Sequence, residues 1–550
     1  MTIIASPDAP AADRAHPTTP ERTRRRVRWS GEVGRSAVAL AAILALWELL
    51  ARTALEGTNL IAPPTGIVDA IGDNWELYLR ATRTTLWEAA RGFLWGNSAA
   101  VVLATIVAVW PWSERTVLRV SLVVFCLPLV ALGPLLRVVF GTGDGPQVTL
   151  AALAVFYTTL VPLLVGLRAM PQSWADLVAS YGRGRLTALA TVRARAAIPY
   201  LFAGLQVAAP ASFLGALVGE FTGAERGMGL LIINATRGLR TNELWAVATV
   251  SALVSMAVYV VVGVIGRRLS VGDAALLLAP PPSGRPAGPL RWLLRTSIET
   301  IVTVAVVFAM WVGLMAWFDL DSYFAKRPGD VWDYLVTVPN AAANRDEILD
   351  ALSSTAQVAI PGYLLGLALG AGFAICFDLS GTIRRTVTPF AIALRCVPIV
   401  AIAPLLVQAF GRGTVGTTMS VAIMTFFPTL VACSYGLRQA PGQVLDFYAV
   451  FETGKVRTLV SAQVPAMVPA FFSAARIAVP ATVLAATVAE WLATGTGMGH
   501  LMALTASNSR YATLWSCVVV ITVIAAMAYA VVAVVERWVL ARVAPEQLSW

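Results

Sequence analysis

Charged residues are scarce in this chain. Asp, Glu, Lys and Arg make up 13% of its 550 residues, while 57% of the residues are apolar. Soluble domains usually carry about 25% charged residues. The deficit excludes an ordinary soluble protein and predicts that most of the chain lies in a lipid bilayer.

Histidine and cysteine are too few and too scattered to form a reaction centre. The two histidines, His16 and His500, are far apart, and no His/Cys spacing is typical of a metal site. The five cysteines fall within apolar runs, so we interpret them as reduced core residues. A membrane enzyme would need a cluster of polar residues in or beside its spans, and the sequence contains no cluster of His, Asp or Cys there. We therefore predict no metal ligand, no cofactor and no catalytic residue in this chain.

The net charge of +10 is concentrated beside the apolar runs. Five arginines between residues 22 and 28 precede the first run, and Arg267 and Arg268 follow the sixth. This is the positive-inside pattern of membrane proteins and not the basic patch of a nucleic-acid-binding protein. It predicts a multi-pass protein of the cell membrane, with both termini in the cytoplasm and no nucleic-acid partner.

Twelve apolar runs are long enough to span a bilayer, which takes about 20 residues. They lie near residues 36–55, 88–110, 116–139, 147–168, 200–220, 244–266, 298–318, 357–377, 386–409, 415–437, 470–490 and 513–538. The predicted fold class is all-α, with two repeats of six transmembrane helices. Because six is even, each repeat returns the chain to its starting side, and the repeats are parallel.

The chain contains itself twice, at an offset of 270 residues. Seven of the repeated positions are Cys126, Pro128, Pro134, Gly141, Glu220, Gly227 and Trp245, which recur as Cys396, Pro398, Pro404, Gly411, Glu490, Gly497 and Trp515. Internal repeats of this kind indicate that two equivalent half-pores are fused in one polypeptide. The predicted organisation is a disordered basic tail (1–35), a first repeat (36–268), a proline-rich cytoplasmic linker (269–296), a second repeat (297–540) and a C-terminal tail (541–550).

A long, patterned loop follows the fourth span of each repeat and is predicted to be cytoplasmic. The first copy contains Asp176, Gly182, Arg185 and Pro199, and the second contains Asp446, Glu452, Gly454, Lys455 and Pro469. Short helices interrupted by a glycine and followed by a proline fit both copies. Such a segment either docks a soluble partner or rests passively on lipid headgroups.

These loops resemble the EAA coupling loop of binding-protein-dependent ABC importer permeases. That pattern has an acidic residue, small residues, a glycine and a proline about seventeen residues later, which Asp176, Gly182 and Pro199 match. The second copy keeps Asp446 and Pro469 but has Glu452 at the glycine position. Both copies depart from the family by having aspartate where glutamate is usual, and the first has Arg195 where many members have a further proline.

The third span resembles the nitrate, sulfonate and taurine branch of these permeases. A run from Pro128 through Pro134 to Phe140-Gly141 recurs from Pro398 to Gly411, and a Gly-Met-Gly segment follows each of Glu220 and Glu490. The resemblance covers roughly residues 85–265 and 355–535. The family normally pairs two separate permease chains, whereas this chain is similar to a fused pair.

The resemblance implies a type I ABC importer permease with three kinds of partner. Two ABC ATPase subunits would dock on the two loops, an extracytoplasmic binding protein would deliver the substrate, and the lipid bilayer would surround the spans. ATP would be used by the partner, because the run Thr453–Val456 lacks the upstream glycine and the Ser/Thr of a P-loop. The substrate would be a small organic or inorganic anion or a vitamin precursor.

Some charged and helix-breaking residues within the spans are candidates for the transport pathway. Pro128, Pro134, Pro398 and Pro404 each remove a helix hydrogen bond and can kink the third span. Arg137 is a candidate for contact with an anion, although its repeat equivalent is Val407 and arginine can also extend to the interface. Glu220 and Glu490 are candidates for an outer gate or are simply helix ends that reach water.

An ion-gradient-driven secondary transporter with parallel repeats is the alternative function. It predicts buried carboxylates near the middle of the membrane, and only Glu220 and Glu490 come close. It also does not account for the loop that is repeated in both halves.

Overall fold

A computed structural model describes residues 41–53 except 43, 61–269 except 142, 170–173, 175–177, 179 and 183, 289–379, and 398–543 except 412. Within these ranges all regular structure is helical. The predicted N-terminal tail, the loop residue Asp176 and most of the predicted linker lie outside the described residues.

The first half contains ten helices, counted over the described residues. They are α1 (44–52), α2 (Pro64–Asp73), α3 (Trp75–Val109), α4 (Glu114–Phe125), α5 (Leu129–Phe140), α6 (Gly145–Arg168), α7 (Arg185–Ala188), α8 (Ala194–Glu220), α9 (Met228–Arg237) and α10 (Thr241–Leu269). A π-helical segment, Leu189–Arg193, joins α7 to α8, so that the two form one continuous rod.

The second half repeats this order over the part of it that the structure describes. Its helices are α11 (Pro289–Trp317), α12 (Pro328–Trp332), α13 (Ala341–Leu379), α14 (Ile399–Phe410), α15 (Thr414–Gly436), α16 (Gly442–Val450), α17 (Lys455–Thr458), α18 (Val464–Ala489), α19 (Gly497–Ser507) and α20 (Tyr511–Val543). A second π-helical segment, Leu459–Gln463, joins α17 to α18 at the same 270-residue offset. Helices α5 and α14 also begin and end at equivalent positions, which confirms the repeat.

Nine helices of the described residues are long and apolar enough to cross a membrane, and two further helices that meet at an angle of 91° make a tenth span if the pair crosses as one. That bent pair joins Pro111–Phe125 to α5, where the sequence predicted one continuous span over 116–139. The twelve predicted spans also include 36–55 and 386–409, each of which is only partly described. The all-α membrane fold is therefore confirmed.

Some predicted boundaries differ from the observed ones. Helix α11 begins at Pro289, which the sequence placed inside an extended linker ending at residue 296, because proline is well accommodated in the first turn of a helix. Helix α20 continues to Val543, beyond the predicted end of the repeat at residue 540. Helix α3 begins at Trp75, 13 residues before the apolar run at 88–110. Its first three turns are too polar to be counted in that run, but they contain enough helix-forming residues to extend the helix.

Glycines allow the long helices of each half to pack closely. A Cβ atom added to Gly92 or Gly96 of α3 would lie within 2.4 Å of atoms of α6, and one added to Gly366 of α13 would lie 2.5 Å from the Ala422 carbonyl oxygen of α15. Small residues at such crossings let membrane helices approach each other. The glycines that repeat in the sequence therefore mark the same helix crossing in both halves.

Two equivalent short helices, α5 and α14, each pack against the other half. Helix α5 packs on α18 and α19, and its equivalent α14 packs on α8, α9 and α10. On one side Ala131 and Leu135 of α5 join a buried cluster with Met498 and Met502 of α19. The reciprocal exchange produces an interface related by the pseudo-twofold axis.

Candidate functional site

The two ends of the helix bundle carry different candidate sites. We call the end with residues 181–188 and 437–458 the loop face, and the end with Gly227 and Gly497 the far face. Because the spanning helices run continuously between these ends, the chain alternates between the two faces.

On the far face of the first half, a buried carboxylate ties three helices together. Glu220, fully buried at the end of α8, accepts a hydrogen bond from Thr85 of α3 (2.5 Å) and another from the Gly229 backbone N–H of α9. The Thr85 hydroxyl in turn accepts a hydrogen bond from the Met228 N–H at 2.9 Å. We call these four residues the first clasp. It provides acceptors for two backbone N–H groups in the first turn of α9, which have no partner in the backbone of that helix.

The second half contains the same arrangement. Glu490 accepts hydrogen bonds from the Thr355 hydroxyl at 3.0 Å and from the Gly499 N–H at 2.8 Å, and the Met498 N–H donates to Thr355 at 2.8 Å. We call Thr355, Glu490, Met498 and Gly499 the second clasp. Its carboxylate is 3% exposed, so neither Glu220 nor Glu490 is a helix end that reaches water.

Arg137 of α5 contacts the turn between α8 and α9, next to the first clasp. Its Nε donates to the Thr222 carbonyl oxygen at 3.2 Å, and its Nη1 lies 3.4 Å from the Gly141 carbonyl oxygen. The side chain is half-buried, and the equivalent Val407 is 3% exposed. Arg137 thus binds backbone carbonyls at the far end of α5, and contact with an anion stays a prediction.

The predicted proline pairs lie at the start and in the middle of the two exchanged helices. Pro128 and Pro398 are the buried residues that precede α5 and α14, with ψ angles of 101° and 124°, and the 91° break lies just before Pro128. Pro134 and Pro404 lie inside the same helices. A proline cannot donate the hydrogen bond that would continue the preceding helix.

An ion pair is buried in the second half, between α18 and α20. Arg476 Nε lies 2.9 Å from Glu536 Oε2, and the two side chains are 7% and 3% exposed. The Arg476 guanidinium also lies 6.0 Å from the centre of the Tyr529 ring, and Tyr529 lies beside Tyr157 of α6 in the first half. The equivalents of Arg476 and Glu536 are Gln206 and Gly266, so the ion pair breaks the symmetry of the repeat.

On the loop face, α16 projects from the bundle and has no buried residue. Phe447 is 59% exposed, Val450 78% and Phe451 65%, and the Phe447 and Phe451 rings are 4.7 Å apart. Asp446, from the predicted coupling pattern, is also exposed. In the first half, Tyr181 is the equivalent of Phe451 and is 76% exposed.

A left-handed residue ends α16 and explains the glycine of the loop pattern. The Thr453 N–H donates to the Tyr448 carbonyl oxygen at 3.1 Å and the Glu452 N–H donates to Ala449 at 3.0 Å, which is a Schellman motif. Such a motif requires positive φ at the first residue after the C-cap, which is Glu452 here; φ is +46° at Glu452 and +66° at the equivalent Gly182. Glycine adopts this conformation without the clash that a Cβ atom causes.

Replacing Glu452 with glycine is expected to stabilise the second loop by about 1 kcal/mol, because it removes that clash. Hydrogen exchange of residues 442–463 measures the effect as slower exchange in the variant. Glu452→Ala is the control, since it removes the carboxylate but keeps the Cβ atom, and it should bring no gain. Equal protection in both variants would show that the left-handed backbone is not strained.

The other predicted loop residues follow this turn. Gly454 precedes α17, Arg185 begins α7, and Pro199 and Pro469 lie inside α8 and α18, six residues beyond the ends of the π-helical segments. π-Helical segments are frequent at functional sites. The coupling role of all these residues stays a prediction.

Two stretches of the chain, residues 79–271 and 362–545, match the family described as the binding-protein-dependent transport system inner membrane component. The chain belongs to this family. The two matches together cover more than half of its length, and each corresponds to one structural half, so this permease consists of two family domains fused in tandem.

Permeases that match this chain have the length of a single half. The riboflavin transport system permease protein RibX of Chloroflexus aurantiacus is 32% identical over 244 residues, which are 43% of this chain and 90% of RibX. A probable ABC transporter permease protein of Haemophilus influenzae is 26% identical over 217 residues, 40% of this chain and 89% of its own. The putative aliphatic sulfonates transport permease protein SsuC of Escherichia coli is 25% identical over 203 residues, 36% and 77% of the two chains.

Sequence reasoning missed the two threonines of the clasps and the buried ion pair. Thr85 and Thr355 are identical residues at the 270-residue offset, so the repeat itself could have identified them. Arg476 and Glu536 are charged residues within long apolar runs, which is the usual sign of a functional or structural pair in a membrane helix.

Proposed function

We propose that this chain is the complete membrane part of an ABC importer and that each of its two loop-face segments docks one ATPase subunit. The observation that carries the proposal is the exposed aromatic residue just before the left-handed residue of each loop, Tyr181 in one half and Phe451 in the other. One fused chain would then bind two ATPases. The loop face would be cytoplasmic and the far face would receive substrate from a binding protein.

Docking to a protein accounts for α16 better than resting on lipid does. Helices that lie on a membrane surface usually carry Lys or Arg on their polar face, and the charged residue within α16 is Asp446. Exposed aromatic residues are enriched at protein interfaces instead. A partner that closes on both loops would shift the two halves between inward-open and outward-open states, because it binds one state better than the other.

The substrate proposed is a small anion or a vitamin precursor. The relatives named for riboflavin, aliphatic sulfonates and nitrate transport support this range. An ion-driven transporter remains the alternative, and it does not account for the exposed aromatic residues on the loop face.

Co-purification with the partner ATPase tests the docking. Tyr181→Ala or Phe451→Ala alone should leave one ATPase per permease, and the double variant should leave none, because truncating a central aromatic residue of an interface costs about 2 kcal/mol or roughly 30-fold in affinity. Trp317→Ala is the control, since Trp317 is 85% exposed at the other end of the bundle.

Two results would contradict the proposal. Wild-type ATPase capture by the double variant would show that the loops are not the docking sites. A wild-type complex with two ATPases and two permease chains would show that one fused chain is not the complete membrane part.

A further inference from the structure

A small cavity opens at the loop face of the first half. Its volume is about 110 Å³, and it lies between the last turns of α3 and α6, the start of α4 and the π-helical segment before α8. Its lining combines the apolar residues Val107, Leu164 and Leu167 with the charged residues Glu114, Arg168 and Arg193. A lining with both kinds of residue suits an amphipathic molecule.

The cavity lies at the level of the membrane headgroups. Helices α3 and α6 both end beside it, at Val109 and Arg168. Trp110 and Trp112 flank its Pro111 and are 53% and 81% exposed. Exposed tryptophans at the ends of membrane helices mark the boundary between hydrocarbon and water.

The charges around the cavity leave an excess of positive charge. Among the lining residues, Arg168 pairs with Glu114. Arg193 is half-buried and has no carboxylate of the described residues within salt-bridge distance. The lining therefore holds two arginines and one glutamate, and this excess of one positive charge favours an anion.

The second half does not have this combination. Arg193 is replaced by Gln463, Ala108 by the acidic Asp378 and Glu114 by Arg384, while Arg168 keeps its equivalent in Arg438. Any anion site built on Arg193 therefore exists once in the chain.

We propose that this cavity binds the phosphate headgroup of an anionic phospholipid from the leaflet on the loop face, with Arg193 and Arg168 as its ligands. Basic pockets between membrane helices are typical sites for anionic headgroups. The acyl chains would lie along the exposed apolar side of α3, where Val101 and Val102 are 41% and 57% exposed. Since Arg193 belongs to the π-helical segment that follows the loop, the bound lipid would anchor the base of the first loop and not that of the second.

Native mass spectrometry of the purified full chain with equal amounts of phosphatidylglycerol and phosphatidylcholine tests this site. We expect one phosphatidylglycerol to be retained in preference to phosphatidylcholine. Arg193→Gln, which installs the second-half residue, should lower that retention about fivefold, since an arginine near the membrane surface contributes about that factor. Arg193→Lys should keep most of it, and Arg438→Gln, the control in the second half, should leave it unchanged.

The outcomes separate the occupants of the cavity. Equal retention of both lipids, or equal losses in Arg193→Gln and Arg438→Gln, would overturn the proposal. Displacement of the lipid by excess inorganic phosphate would show a site for free anions instead. Loss of ATPase capture in Arg193→Gln with lipid retention unchanged would assign Arg193 to the docking surface. A melting temperature equal to that of the wild type shows that a variant is folded.

Discussion

Glu536→Leu is expected to lower the free energy of unfolding by about 3–5 kcal/mol, because it leaves the guanidinium of Arg476 buried without its carboxylate. The two side chains are 7% and 3% exposed, so water cannot replace the lost partner. Thermal unfolding followed by tryptophan fluorescence should show a lower melting temperature than that of the wild type.

The double variant Arg476→Gln/Glu536→Gln separates charge from packing. It removes both charges at nearly constant volume and should recover most of the lost stability, since two neutral side chains need no desolvated partner. Glu347→Gln is the control for an exposed pair: Glu347 and Arg510 are 2.6 Å apart but 34% and 42% exposed, so its loss should cost about 1 kcal/mol or less. If Glu536→Leu is as mild as Glu347→Gln, the buried pair has no structural role.

The second large effect is expected for Gly497→Ala, at the turn that closes the second clasp. Gly497 has φ of +88°, and a Cβ atom there would lie 2.3 Å from the Glu490 carboxyl carbon. The carboxylate would have to move away from Thr355 and from the Gly499 N–H. Since hydrogen bonds to charged groups contribute about 1.5–3 kcal/mol each, the loss should reach roughly 3 kcal/mol or more.

Gly495→Ala is the matched control for this substitution. Gly495 also has positive φ, at +75°, but no atom lies within 4 Å of an added Cβ. It should therefore cost only the strain of a left-handed alanine, about 1–2 kcal/mol. Equal melting temperatures for the two variants would mean that the clasp contributes little beyond the backbone conformation of its turn.

The repeat allowed most of the fold to be predicted from the sequence. Apolar runs of sufficient length gave the spanning helices, and the 270-residue offset gave their pairing. The break before Pro128 was harder to place, because a proline in a membrane span either kinks a helix or ends it, and packing against the other half decides between these outcomes. Pro289 was assigned to the linker because a proline can either begin a helix or belong to an extended segment.

Side-chain partners could not be predicted from the sequence to the same extent. Glu220 and Glu490 were recognised as symmetric, but their contact with Thr85 and Thr355 joins residues 135 positions apart and depends on the crossing of α3 with α8. Glu452 was recognised as an exception to the glycine pattern, whereas the left-handed turn that makes it costly is a property of the backbone. The pairing of Arg476 with Glu536 required the position of both helices.

The exchange of α5 and α14 between the halves has a consequence for biosynthesis. Helix α5 leaves the ribosome roughly 320 residues before its partners α18 and α19, which is about 15–65 s at ordinary rates of translation. During that interval the apolar face formed by Ala131 and Leu135 has no partner, and the first half is inserted but incomplete. Tandem fusion guarantees that the missing surface then arrives on the same chain, in equal number, without a search through the membrane for a second polypeptide.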